Sequence, residues 1–511
     1  VIVPLTPLDF LERARRLYGP LEGVVDGDRR LTYRQYVSRC HRLAHALIQT
    51  VGISPGDRVA YLCGNTLELL EAYYGVLLAG GILIPLNVRL GPYEMQQVLD
   101  DCEARVLFAH PTFAQVADRL SVSQRIDLDD RYEDLLASQT DSLYVNPEPV
   151  DENAVCELFY TSGTTSSPKG AMLTHRVLAT HALDSALTLG LAHRDVILHT
   201  IALFHVNGWG TPHYVTALGA KHVLLERFDP AEVLRLVEQE GVTRLSLVPT
   251  MAAAIAVHPE AQTRDLSSLV QVTVGGAASP PELLRDLEGV FGCEVMCGYG
   301  LTEASPQLTK AVTLRSHDSL SKDEQRRRNA TTGLPNVGVD LRVLDDDDNE
   351  VPQDGQTPGE ICVRSNHVMA GYWNKPDDTA AALRGGWLRT GDLATVDAEG
   401  YVTIVDRKKA IIISGGENIS SVQVEAVLAS HPSVYEVAVV GMADERWGEV
   451  PRAFVALKPG AEPVTEQELI DYVRERLAHF KAPKRVDFRP ELPKGGTGKI
   501  LKAELRAEPL S

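Results

Sequence analysis

The sequence predicts an α/β protein. A large N-terminal domain of layered α/β subdomains with mostly parallel sheets and a small β subdomain is followed by a small α+β C-terminal domain. Three observations predict this. Over roughly the first four-fifths of the chain, helical patterns alternate with short apolar runs that end in glycine or proline, the pattern of parallel layers. From Asp340 the texture changes to short strands and turns, and past Asp406 capping signals and amphipathic runs recur in a unit of their own. At 511 residues the chain also exceeds what one core usually supports, so two or more domains are expected.

The predicted strands of the layered part run from Arg58 to Cys63, Ile82 to Leu86, Arg105 to Ala109, Val155 to Phe159, Val196 to Thr200, Lys221 to Leu225, Arg244 to Pro249 and Val270 to Gly276. Parallel sheets collect ligands beyond the carboxyl ends of their strands, so the loops after Phe159, Val248, Val274 and Met296 are expected to share one site. Leu341 to Leu344 and Glu350-Val351 read as a hairpin, with the acidic run Asp345 to Asn349 as its solvated turn. Short strands continue through Val402 to Val405. Ser420 with Gln423, and Thr465 with Glu468, have capping-box spacing, and Leu469, Ile470, Val473 and Leu477 give the second helix an apolar face. Strand-like runs 434–440 and 453–457 lie between them. The boundary is expected near Asp406 to Lys409, giving domains 1–406 and 407–511.

Composition excludes several functions. Hydrophobic residues at 44% and charged residues at 23% are ordinary for a globular protein, and a formal charge of −19 argues against nucleic acid or an anionic membrane as partner. Seven cysteines with no Cys-x-x-Cys pair suit reduced thiols in a cytoplasm. No apolar run is long enough for a membrane segment, and no secretory signal opens the chain; a start at Val1 is what trimming of a short leader would leave.

The chemistry concentrates in a few segments. Tyr160-Thr-Ser-Gly-Thr-Thr-Ser-Ser-Pro-Lys-Gly170 follows an apolar strand. Its small residues turn backbone N–H groups inward, Thr161, Ser162, Thr164 and Thr165 add hydroxyls, Gly163 allows close approach, and Lys169 supplies charge, so the loop is built to hold polyphosphate. Its spacing is not that of a Walker A loop. Val274-Gly-Gly-Ala-Ala-Ser-Pro280 ends a strand with small residues where a flat ring could lie. Gly298-Tyr-Gly-Leu-Thr-Glu-Ala-Ser305 offers an aromatic face, a hydroxyl and a carboxylate. Asp392 in Thr390-Gly-Asp392 could accept both hydroxyls of a ribose, Arg407 is a second ribose partner, and Lys494-Gly-Gly-Thr-Gly-Lys499 sets a lysine on a glycine-rich loop. Singly, each segment reads equally well as an ordinary turn. Together and in this order they do not.

On these segments the chain resembles an acyl-CoA synthetase of the adenylate-forming superfamily, which also holds peptide-synthetase adenylation domains and beetle luciferases. The resemblance runs from Leu31-Thr-Tyr33 to Lys499. It implies a two-step ligation: a carboxylic acid attacks the α-phosphorus of Mg-ATP to give acyl-adenylate and pyrophosphate, then a thiol, coenzyme A or a carrier-protein phosphopantetheine, displaces AMP. It further implies that Thr161 and Glu303 coordinate Mg2+, Tyr299 and Gly276 flank adenine, Gly298 belongs to the nucleotide-binding set, Thr302 reaches the α-phosphate, Lys499 orients the carboxylate, and the C-terminal domain is mobile about Lys409. Gly415 and Gly416 would line the thiol's tunnel. His205 and Val206 would meet the acid, and Trp209 would gate its tunnel. Cys297, Ala410 and Ile413 depart from the commoner pattern, which bears on adenine and hinge contacts. No aspartate follows His205 to hold an amino group, so acids without an α-amine are expected, medium or long apolar or aryl. A non-catalytic adenylate-binding protein is the alternative of another class, and a homodimer is left open.

Overall fold

The computed structural model describes residues 2–146, 148–161, 168–277, 279–408, 412–414, 417–444, 447–477, 479–495 and 499–508; for 407, 413, 417 and 418 it describes backbone only. Four sheets organise the described residues. The first has nine strands, in the order Leu334–Pro335, Gln307–Lys310, Glu294–Gly300, Gln271–Val274, Arg244–Leu247, Val196–His199, Lys221–Leu224, Glu22–Asp26 and Arg29–Thr32. Its centre is parallel, and antiparallel strands close both edges. The second has six strands, ordered Gln124–Asp127, Val106–Ala109, Arg58–Leu62, Ile82–Pro85, Val155–Thr161 and Lys169–Thr174, with only the last pair antiparallel. Ile82–Pro85 and Val106–Ala109 are buried throughout, as expected of parallel strands covered on both faces.

A four-stranded antiparallel sheet follows, Val339–Leu344, Gly359–Ser365, Leu388–Val396 and Val402–Arg407. The expected hairpin is only partly present. Asp345 does close the acidic turn, accepting from the N–H groups of Asp347 and Asn349, both at 2.9 Å. The return is a single bridge, Leu344 to Glu350, and the ladder is completed by Gly359–Ser365, because Pro352 lacks the N–H that a continuing strand needs. The last sheet combines Ile412–Ser414, Glu417–Ile419, Val434–Asp444, Gly448–Leu457 and Arg485–Phe488, under the helices Ser421–Ala429 and Glu466–Arg474. Thr465 forms the expected capping box with Glu468. Ser420 forms half of one: its side chain accepts from Gln423 N–H, but the Gln423 amide is engaged by Lys481 Nζ at 2.7 Å.

Polar groups are buried inside the first sheet's helical cover. Thr216 Oγ1, His222, His199 and Thr211 Oγ1 form a hydrogen-bonded row with every link at 3.0 Å. Burial lowers His222 well below the usual histidine range and His199 to about 3, so both rings are neutral at physiological pH. Among the described residues no helix is long and apolar enough to cross a membrane.

Candidate active site

Strands Val155–Thr161 and Lys169–Thr174 pair with Thr161 opposite Lys169, so the two ends of the phosphate-loop segment stand side by side. Ser162, Gly163, Thr164 and Thr165 lie outside the described residues. Lys169 Nζ is paired with Asp378 and sits 5.5 Å from the Tyr372 ring centre. The pair is partly exposed, and such pairs contribute at most about 1 kcal/mol, so a polyphosphate can replace the carboxylate. Tyr372 O–H donates to Glu303 Oε1 at 2.7 Å. Burial and the Glu303 carboxylate both raise the Tyr372 phenol, keeping it a donor. Tyr372 bridges to Ala171, and Trp373 N–H donates to Gly170 O at 2.8 Å, which ties the phosphate hairpin to the Glu303 turn. Sequence reasoning missed Tyr372; an aromatic pair directly after Gly371 was its only signal.

Gly276 and the buried Thr302 stand beyond the carboxyl ends of Gln271–Val274 and Glu294–Gly300, and Gly298 and Tyr299 occupy the last residues of the second strand, as the parallel topology predicts. Tyr299 O–H donates to Asp392 Oδ2 at 2.7 Å. Asp392 lies directly opposite Arg407 across two antiparallel strands. Thr390 Oγ1 accepts from Asp392 N–H at 3.1 Å and donates to Ile361 O at 2.8 Å, which pins the turn and aims the carboxylate. An aromatic ring, a carboxylate and a strand position for a guanidinium therefore converge from segments about a hundred residues apart.

His205 opens an unusual stretch. Val206, Asn207, Gly208, Trp209 and Gly210 have φ of 37°, 42°, 55°, 67° and 87°, one left-handed turn that leads into the helix ending at Leu218. Each non-glycine residue there costs about 1–2 kcal/mol. Buried contacts hold it: Asn207 Nδ2 donates to Glu157 Oε2 at 3.1 Å, and His213 Nε2 meets Glu157 Oε1 at 2.9 Å, all three side chains being almost fully buried. Gly210 cannot be enlarged, since an added Cβ would lie 2.5 Å from His181 Cε1. Glu157 sits on the strand that leads to Thr161, so one carboxylate connects the phosphate hairpin with the segment carrying His205 and Trp209. The sequence reading did not pick out Glu157, although a lone charge inside the run Val155 to Phe159 was visible.

Lys499 reaches this region from the C-terminal end. Its loop is closed by Gly495 N–H donating to Lys499 O (2.7 Å) and Leu501 N–H to Pro493 O (2.8 Å), and Lys494 pairs with Glu436 at 2.8 Å. Arg89 Nη1 donates to Gly495 O at 3.2 Å, holding the loop against the N-terminal part. Burial first, and the Lys499 ammonium second, lower His205 to about 4, so the ring is neutral and within electrostatic reach of Lys499. Lys409, Gly415 and Gly416 lie outside the described residues, as does the Arg407 side chain.

The donor set for a metal is sparse. Among the described residues no three His, Cys, Asp or Glu side chains group as a metal site. The Glu303 carboxylate and the Thr161 hydroxyl are hard oxygen donors, which suits a magnesium ion that takes one or two protein ligands and fills its octahedron with phosphate oxygens and water. The residues fit such an ion.

The family model for AMP-binding enzymes matches residues 11–373, well over half of the sequence. The chain belongs to the AMP-binding enzyme family. A second model, the AMP-binding enzyme C-terminal domain, matches residues 423–499. Among curated AMP-binding relatives, a feruloyl-CoA synthase from an Amycolatopsis species is 40% identical over 498 residues, covering 97% of each chain. A long-chain-fatty-acid–CoA ligase from Thermus thermophilus is 38% identical, over 98% of this chain and 95% of its own. Among solved structures, the anthranilate CoA ligase AuaEII in complex with anthranoyl-AMP superposes with a TM-score of 0.90 at 28% identity, over 99% of this chain and 98% of that one. This AMP-binding enzyme is thus similar to CoA ligases along its whole length.

Proposed function

We propose that this protein is an AMP-forming acid–thiol ligase that converts a carboxylic acid, ATP and coenzyme A into acyl-CoA, AMP and pyrophosphate. In the first step a carboxylate oxygen attacks the α-phosphorus and the bond to pyrophosphate breaks. In the second, the thiol sulfur attacks the acyl carbon, its proton is lost and AMP leaves. The observation that supports this reading most is the convergence of Lys499, His205, the Tyr299–Asp392 pair and the Lys169–Tyr372–Glu303 chain on one region.

In this reading Lys169 and the hairpin loop hold the β- and γ-phosphates. Glu303 and Thr161 would hold a magnesium ion, which neutralises charge on the phosphate oxygens when bound. Tyr299 and Gly276 flank adenine, and Asp392 with Arg407 receives the ribose hydroxyls. Lys499 bridges the attacking carboxylate and the nucleotide, drawing together two anions that repel. Neutral His205 hydrogen-bonds the acid without adding a second charge beside Lys499. After adenylation the C-terminal domain, 407–511, turns about Lys409 and admits the thiol past Gly415 and Gly416, a hinge motion of the ordinary kind.

Incubation with Mg-ATP and a panel of acids, with and without coenzyme A, tests this by pyrophosphate release and product mass. Acyl-CoA with AMP is the expected outcome. Bound acyl-adenylate without acyl-CoA would move the acceptor to a carrier protein, and ATP binding without turnover on any acid would leave only an adenylate-binding role. The Trp209 reading has its own test. Trp209→Ala should change chain-length preference by at least about tenfold, the scale of a few methylenes in an apolar site, with little change in KM for ATP. An unchanged profile would remove Trp209 from the acyl path.

A further inference from the structure

Strand alternation gives the first sheet two different faces. Val272, Val274, Leu245 and Leu247 pack into an apolar core on one side. The other side, under the helices His175–Leu189 and Val206–Leu218, carries Gly275, Thr273 and Gln271, beside Ser246 and Arg244, with Ser246 in register with Thr273 and Arg244 with Gln271. The Trp209 indole lies over the upper end of that face: a Cβ built on Gly275 would meet its Cη2 at 2.9 Å. Further along the same face is a cavity of about 20 Å3, lined on one part by Ser246, Thr273, Gln271, Arg244 and Tyr214 and on the other by the aliphatic Leu189, Leu191, Ile197 and Leu245. From Gly275 to Gln271 the face is about 13 Å long, at about 3.3 Å per residue.

The polar groups along this cavity are under-used. The hydroxyls of Ser246, Thr273 and Tyr214 make no hydrogen bond among the described residues, although Tyr214 is only 4% exposed. Behind Gln271 stands Lys310, 2% exposed, whose Nζ donates to Gln271 Oε1 at 2.6 Å and has no ion-pair partner among the described residues. Arg244 Nη1 donates to the same oxygen at 3.2 Å. Burial, with Arg244 adding to it and Glu294 opposing, brings Lys310 down to about 8, so the ammonium is retained at neutral pH. An alkyl terminus placed here would pack on the aliphatic part of the lining but strip water from the three hydroxyls, whereas a terminal oxygen would also pair with them.

We propose that this cavity receives the end of the acid remote from its carboxylate, and that the substrate carries a hydroxyl there, as an ω-hydroxyalkanoic or a phenolic acid does. This rests on the ligase reading and narrows its substrate class. Trp209 and Gly275 then form the entrance, Ser246, Thr273 and Tyr214 bind the hydroxyl, and Gln271, held by Lys310, Arg244 and Glu294, closes the far end.

The test compares kcat/KM for 8-hydroxyoctanoate against octanoate and 4-hydroxycinnamate against cinnamate, in the full-length protein and in Thr273→Val and Tyr214→Phe. These near-isosteric changes delete one hydroxyl each and keep the packing, so folding is retained. The hydroxylated acid should be preferred at least about tenfold in one pair or both, and the preference should shrink severalfold in at least one variant. Equal use or preference for the apolar partner, or a preference that both variants leave intact, would overturn the assignment while leaving the ligase reading standing. If no acid, in these pairs or in the wider panel, releases pyrophosphate, both readings fall.

Discussion

Replacing Lys499 with alanine is expected to lower acyl-adenylate formation by about 10² to 10³, while supplied acyl-adenylate is still converted to thioester at near the original rate. The size follows from what the ammonium is asked to do. Carboxylate and triphosphate repel, and in the proposed reaction the Lys499 ammonium is the fixed donor that draws them together. The split between steps follows from placement. Lys499 lies on a loop tied by Lys494–Glu436 to the C-terminal sheet, so its presence beside His205 depends on where that unit sits, and a thiol arriving later does not meet it. Pyrophosphate release and thioester formation from added adenylate measure the two steps separately. An equal loss in both would remove the assigned role.

The second large effect concerns stability. His41, His175, His181, His199 and His222 are all buried, and burial holds each below its ordinary value: about 4 for His41 and His175, about 3 for His199, and well below the usual range for the other two. Their unfolded value is near 6.5, so on acidification the unfolded chain takes up protons first. Stability is therefore complete above about pH 6.5 and falls as the pH drops toward 4. For a group held at about 4 the fall is on the order of 3 kcal/mol, at about 1.4 kcal/mol per pH unit of depression. Glu71 works the other way: burial raises it to about 7, so its contribution is present at low pH and lost as the pH rises through 7. The lowered histidines outnumber the raised carboxyls of Glu71 and Glu425, and the urea midpoint of the first unfolding transition should decrease steadily from pH 7 to 4.5. A midpoint that holds constant to pH 5 would contradict the neutral buried histidines.

Much of the fold was legible because parallel strands announce themselves. Ile82 to Leu86 and Arg105 to Ala109 are apolar on both faces and bounded by turn residues, and the structure places them within a residue or so of those limits. The same logic pointed to the loops after Val274 and Met296, near Gly276 and Tyr299, since strand ends share a side of the sheet, whereas Asp392, within a strand of another sheet, came from the segment Thr390-Gly-Asp392. What escaped was chemistry set by partners far away in sequence. Nothing near Tyr372 names Glu303, and nothing near Glu157 names His213, because a buried charge is identified by what satisfies it and that is a property of the packing. The left-handed turn at 206–210 escaped for a related reason: Gly208 and Gly210 hinted at it, but Val206, Asn207 and Trp209 disfavour positive φ, and only the buried Glu157 network holds them there.

The closeness of Trp209 to Gly275 also governs how this enzyme could diversify. A side chain larger than hydrogen at 275 would meet the indole at 2.9 Å and the Gly298 carbonyl at 3.2 Å. Shrinking position 209 relieves the first contact and leaves the second, because a backbone carbonyl does not retreat with a side chain. Variation at 275 is confined twice over, and a lineage that reshapes this corner does so through position 209.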